Sequence, residues 1–155
     1  MTVARGGPTT HVASIDDAVH ELRARGLRVS AARRLVLEAL FAADSPLSAR
    51  RIADGLGGTI PLSDVASVYR NLETFEGLGL VRHVHLGHGP SLYALAQTHG
   101  REYLVCESCD SVQACEPAQL DGVRAAVHLA SGYEARFDHF PIVGRCASCR
   151  AADGE

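Results

Sequence analysis

The sequence contains neither lysine nor tryptophan. All fifteen basic residues are arginine, a bias that points to a GC-rich genome rather than to a mechanism. Aromatics make up only 5%, so any core is built mostly of Leu, Val and Ala. No apolar run approaches the roughly 20 residues that a bilayer-spanning helix needs, which excludes a helical membrane span. The first residues, MTVARGGPTTHVAS, lack the apolar stretch of a secretory signal, so a cytoplasmic location is expected. No catalytic triad, phosphate-binding loop or paired-carboxylate arrangement is present, and nothing calls for an enzyme. What is there is ordinary for a soluble globular chain: 155 residues, 46% hydrophobic and 21% charged, enough for one domain or two small ones.

The net charge of −3 does not suggest a nucleic-acid binder, but its distribution is uneven. Up to Ala96 there are ten Arg against nine acids, and from Gln97 onward five against nine. The front half is thus near +1 and the back half near −4, an asymmetry that permits a DNA-facing half.

Helical periodicity and capping residues divide the front half. SIDDAVHELRARG predicts a first helix capped by Ser14 and ended by Gly26, and SAARRLVLEALFAAD a second capped by Ser30. SARRIADGLGG predicts a short third helix stopped by Gly57 and Gly58. LSDVASVYRNLETFEGLG predicts a fourth with Ser63 at its N-cap, turning Val65, Val68, Leu72 and Phe75 inward. LVRHVHL and SLYALA flank the turn-forming GHGP and predict a β-hairpin. Helices followed by a hairpin form the winged helix-turn-helix pattern, expected over residues 1–96. After Ala96, EYLVC and SVQAC predict short strands. PAQLDGVRAAVHLASG predicts a helix, and YEARFDHFPIVGRC one or two strands more. The expected class is α+β, with a small α/β domain over residues 97–155.

Four of the five cysteines form two C-x-x-C pairs, Cys106 with Cys109 and Cys146 with Cys149. Two such turns supply the four soft ligands of tetrahedral zinc. A thiol-disulfide enzyme is the alternative, but redox pairs usually open a helix and both pairs here follow predicted strands. Cys115 reads as a small buried hydrophobe. RHVHLGHG sets His83, His85 and His88 within six positions. On a strand, His83 and His85 point to the same side, as half of a metal site would require.

In GLRVSAARRLVLEAL, ASVYRNLE, GLVRHVHLGHG, HGREYLVCESC and GRCASC, taken in that order, the chain resembles the Fur family of metal-responsive repressors from about residue 15 to 150. Within that family VRHVHLGHG and DHFPIVGRC look most like the nickel uptake regulators. The resemblance implies a homodimer, a DNA-binding winged domain, a dimerisation domain, and double-stranded operator DNA bound when metal is present. It assigns structural zinc to Cys106, Cys109, Cys146 and Cys149, and nickel to His83, His85 and His139. It matches Tyr69 and Arg70 to the recognition helix and Arg28 to a minor-groove contact. Base reading is then expected from Ser67, Tyr69 and Arg70, and phosphate contacts from Arg28, Arg33, Arg50, Arg51 and the wing. His99, Glu102 and Asp138 are further candidate ligands.

The departures are specific. The family's second regulatory site uses a histidine ahead of the third helix, here Pro46, and an HHHxH run, here HGREY. Ala94 and Ala114 stand where the family has acids. Arg101 and Tyr103 cannot replace two imidazoles on a divalent metal. Zinc- or iron-sensing through a rearranged site, and loss of sensing with only structural zinc kept, therefore stand as alternatives to nickel.

Overall fold

The computed structural model describes residues 9–85, 89–98, 101–137 and 140–152. Two compact units divide the chain, one of Met1–His83 with Ser91–Thr98, the other of Val84–Pro90 with His99–Glu155.

The first unit is helical. α1 (Ile15–Ala24) and α2 (Ala31–Ala42) start at Ser14 and Ser30, whose hydroxyls accept the Asp17 and Arg33 backbone N–H groups at 3.1 and 3.2 Å. α3 is shorter than expected, Ala49–Ala53, with Ser48 as its cap. It stops before the Gly57–Gly58 pair because Gly55 turns left-handed at φ 80°, where a Cβ would meet the Ile60 carbonyl at 2.5 Å. α4 (Val65–Gly77) is capped by Asp64 rather than by the expected Ser63. The Asp64 Oδ2 accepts from the Ser67 N–H at 2.8 Å, while the Ser63 N–H goes to the Ala53 carbonyl. Phe75, Leu22, Leu37, Ile52, Leu72, Leu80, Val36, Val68 and Val81 are the largest fully buried side chains here. Burying each such side chain contributes about 1.5–3 kcal/mol.

β2 (Val81–Val84) and β3 (Leu92–Leu95) form the expected hairpin strands. A two-residue strand that the sequence did not suggest, β1 (Leu47–Ser48), pairs antiparallel with β3, so the order is β1-β3-β2.

The second unit is a three-stranded sheet of order β5-β4-β6. β4 (Glu102–Cys106) runs antiparallel to β5 (Val112–Cys115) and parallel to β6 (Ile142–Gly144). A 3-10 turn at Pro117–Leu120 leads into α5 (Asp121–Ser131), and Gly132 ends it at φ 74°. α6 (Ala147–Ala152) was not anticipated: the second cysteine pair does open a helix. No residue of α5 is buried, and Leu129 is 90% exposed. Among the described residues no helix is long and apolar enough to cross a membrane.

Candidate metal centres and nucleic-acid surface

The parallel register of β4 and β6 sets Cys106 opposite Gly144 and so brings both cysteine pairs to one end of the sheet. After Cys106 the chain turns at once: the Asp110 N–H returns to the Cys106 carbonyl at 2.9 Å, with Asp110 at φ 57°. That turn presents Cys109 beside Cys106. Across the sheet end, Cys146 precedes α6 and Cys149 lies in its first turn. The four sulfur atoms all lie within 4.8 Å of one another, with Cys109 and Cys146 3.9 Å apart. Four thiolates about 2.3 Å from a tetrahedral zinc stand roughly 3.8 Å apart, so the spacing fits. None of the five cysteines forms a disulfide.

The electrostatics of the cluster point the same way. The Cys146 N–H donates to the Cys106 sulfur at 3.3 Å and, first among its causes, lowers that thiol to about 6. The Cys149 N–H lowers Cys146 likewise. Cys149 itself is pushed up to about 12, chiefly by the Cys146 and Cys109 sulfurs beside it. Protein donors thus favour the first thiolates, while ionising the last requires a cation among them. A soft divalent ion such as zinc is the group this donor set fits. Cys115 stands apart from the four, buried at the end of β5 opposite Glu102.

His83 lies on β2, where its Nδ1 meets the Glu76 Oε1 of α4, and its ring centroid is 6.3 Å from that of Tyr93, tilted by 54°. His85 follows β2, its ring stacked on Phe140 at 6.2 Å and 22°. His88, His99, Asp138 and His139 lie outside the described residues. Among the described residues, the cysteines are the one group of three or more ligand side chains that meets around a common point.

Glu102 is only 5% exposed on β4. Its Oε1 is paired with the Arg124 Nη2, and its Oε2 is buried without a hydrogen-bond partner among the described residues. The same guanidinium donates through Nη1 to Asp121 at 3.0 Å and to the Pro117 carbonyl at 2.7 Å, and it sits 5.6 Å over the Phe137 ring. Glu102, foremost, raises the Arg124 pKa further. The pairing of Arg124 with Glu102 was not visible beforehand, because the two come from different elements, whereas Asp121 meets Arg124 within α5 at i,i+3.

The outer face of α4 presents Tyr69, 39% exposed, and Arg70, with Ser67 half-buried at its first turn. Arg28 is exposed at the approach to α2. Arg33 is turned inward: its Nε donates to the Asn71 Oδ1 at 3.1 Å and its Nη1 to the Arg28 carbonyl at 2.6 Å. Asn71, buried in α4 beside Val68 and Leu72, was not singled out from sequence. Its Nδ2 donates to the Ser67 carbonyl at 3.0 Å.

Residues 24–139, more than half of the chain, match the ferric uptake regulator family. The peroxide-responsive repressor PerR of Staphylococcus saprophyticus is 26% identical over 136 residues, covering 88% of this chain and 91% of the relative. The ferric uptake regulator of Pseudomonas aeruginosa, solved with manganese, superposes at a TM-score of 0.62 and 25% identity, covering 83% of this chain and 97% of that one. The Helicobacter pylori ferric uptake regulator, at 18% identity and a TM-score of 0.66 over 88% of this chain and 91% of its own, shares the fold. The chain belongs to the ferric uptake regulator family of metal-responsive, DNA-binding transcriptional regulators, and is not an enzyme.

Proposed function

We propose that this protein is a nickel-responsive repressor that binds a palindromic operator as a homodimer. The regulatory ligands are His83, His85 and His139, and the structural zinc ligands are Cys106, Cys109, Cys146 and Cys149. The observation that carries the regulatory assignment is the stacking of His85 on Phe140, the residue that follows His139. Imidazole suits nickel, although it also suits zinc, iron and copper.

The chain's own residues supply the rest. The exposed apolar side chains of the second unit, Val123 and Leu129 on α5, Tyr133 beyond it and Val143 on β6, support a subunit interface there. Two subunits carry two α4 helices, whose separation must match the half-site spacing of the operator. Tyr69, Arg70 and Ser67 read bases, while Arg28, Arg50 and Arg51 face phosphates and Arg33 braces α4 through Asn71. Coupling is reciprocal, so operator DNA tightens nickel binding by the factor through which nickel tightens DNA binding.

A second reading keeps only the Cys-bound zinc. The pairing of Glu102 with Arg124 favours it, since that carboxylate already has its cation. Nickel titration calorimetry with operator gel shifts separates the two. Under the nickel reading, His85→Ala and His139→Ala each abolish nickel-stimulated DNA binding and keep the zinc, while His88→Ala leaves the response nearly intact. Wild-type protein that keeps its Cys-bound zinc and binds its operator equally with and without added nickel, zinc or iron establishes the second reading instead.

A further inference from the structure

We propose that Glu76, in the last turn of α4, is a positioning residue for His83. It holds the imidazole as the Nδ1–H tautomer and so presents Nε2 as the nitrogen for a divalent cation. The inference rests on the reading of His83 as a regulatory ligand.

The pairing follows from how α4 ends. The Leu80 N–H returns to the Phe75 carbonyl at 2.9 Å and the Gly79 N–H to the Glu76 carbonyl at 3.0 Å, the double closure of a Schellman cap. Gly79, at φ 72°, supplies the left-handed residue that this cap needs. The chain therefore reverses within three residues, and β2 runs back beside the last turn of the helix that launched it. This reversal brings together Glu76 and His83, seven residues apart.

The chemistry of the contact is directional. A carboxylate oxygen only accepts, so the His83 nitrogen that faces it carries the proton. A neutral imidazole protonated at Nδ1 keeps its lone pair at Nε2. The His83 and Glu76 side chains are 24% and 37% exposed, and the buried ring of Tyr93 lies on a further side. The ring is thus held in orientation as well as in tautomer. A carboxylate behind the distal nitrogen of a ligating imidazole raises its basicity and fixes its direction, and losing one costs metal affinity about 10–100-fold. Here that carboxylate belongs to the helix that carries Tyr69 and Arg70. One hydrogen bond therefore joins the wing histidine to the DNA-reading element within the same unit.

The test uses full-length protein with its zinc in place, and variants at two positions. Imidazole nitrogen NMR of the nickel-free wild type should show His83 protonated at Nδ1, and Glu76→Ala should shift it toward the Nε2–H form. Nickel affinity should fall about 10–100-fold in Glu76→Ala. It should be largely kept in Glu76→Gln, whose amide oxygen still accepts from Nδ1. Equal zinc content and circular dichroism establish that both variants fold. An Nε2–H tautomer in the wild type overturns the proposal, as does wild-type nickel affinity in Glu76→Ala. Equal damage from Gln and Ala also overturns it, by making Glu76 a direct ligand. Unchanged nickel affinity in His83→Ala removes the ligand assignment itself. Loss there with none in Glu76→Ala removes only the positioning role.

Discussion

The guanidinium of Arg33 on α2 donates to Asn71 of α4 at 3.1 Å and to the Arg28 carbonyl at 2.6 Å, so one side chain fastens α4 to its neighbour. Asn71 is 8% exposed and is the partner that the Arg33 Nε would lose. Asn71→Ala should destabilise the first unit by about 1–3 kcal/mol, the range for a hydrogen bond to a charged group left unmade. Operator affinity should fall because α4 is held less firmly. The slope of affinity against salt should not change, because no phosphate contact is removed. An unchanged denaturation midpoint would show that the bond contributes nothing.

On the opposite face of α4 the expectation reverses. Tyr69 and Arg70 are exposed, so replacing either by Ala should leave the thermal midpoint and the subunit state unaltered. Each should weaken operator binding by about 1–3 kcal/mol and relax sequence preference. Fluorescence anisotropy with operator and scrambled duplexes measures both. Equal losses on the two duplexes would make these residues phosphate contacts instead.

These contrasts show which parts of the fold were legible beforehand. Ser14 and Ser30 announced their helices because a cap acts within three residues of itself. The four cysteines announced through their spacing a cluster that could hold a metal, although the register of Cys106 against Gly144 that joins the pairs was not visible. α6 was missed because its six residues carry no periodic apolar stripe. Asn71, Glu76 and Arg124 were missed for another reason: each meets its partner across a turn or from a different element, and no local pattern records that. Arg33 was read by its charge as a DNA contact, whereas its donors in the free protein are directed inward.

The cysteine cluster makes a prediction about removing its metal. Cys106→Ser or Cys146→Ser should release the zinc and lower the melting temperature of the second unit, since metal binding there is folding free energy. A strong chelator should do the same to the wild type. Acidification should also release the ion, because protons compete for the thiolates. Cys115→Ser should keep the zinc, as Cys115 lies outside the four-sulfur cluster. Metal analysis beside differential scanning calorimetry checks all of these. Full zinc occupancy with an unshifted transition in Cys106→Ser would refute the structural role.

Arg124 pairs with Glu102, a carboxylate that the fold has almost wholly buried. Glu102 sits on the central strand with one oxygen on the guanidinium and the other without a hydrogen-bond partner among the described residues. Removing the arginine alone leaves that charge uncompensated, which is the costly way to break a buried pair. Arg124→Met should therefore lower the thermal midpoint of the second unit markedly. Adding Glu102→Leu should restore most of it, since apolar side chains of similar volume often replace a buried ion pair without loss. The nickel response separates two roles for Glu102. If its part is only to pair with Arg124, the double variant keeps wild-type nickel stoichiometry and nickel-stimulated operator binding. If Glu102 also serves as a regulatory ligand, the double variant regains stability but not the response. Calorimetry and nickel titration on the same two proteins decide between these outcomes.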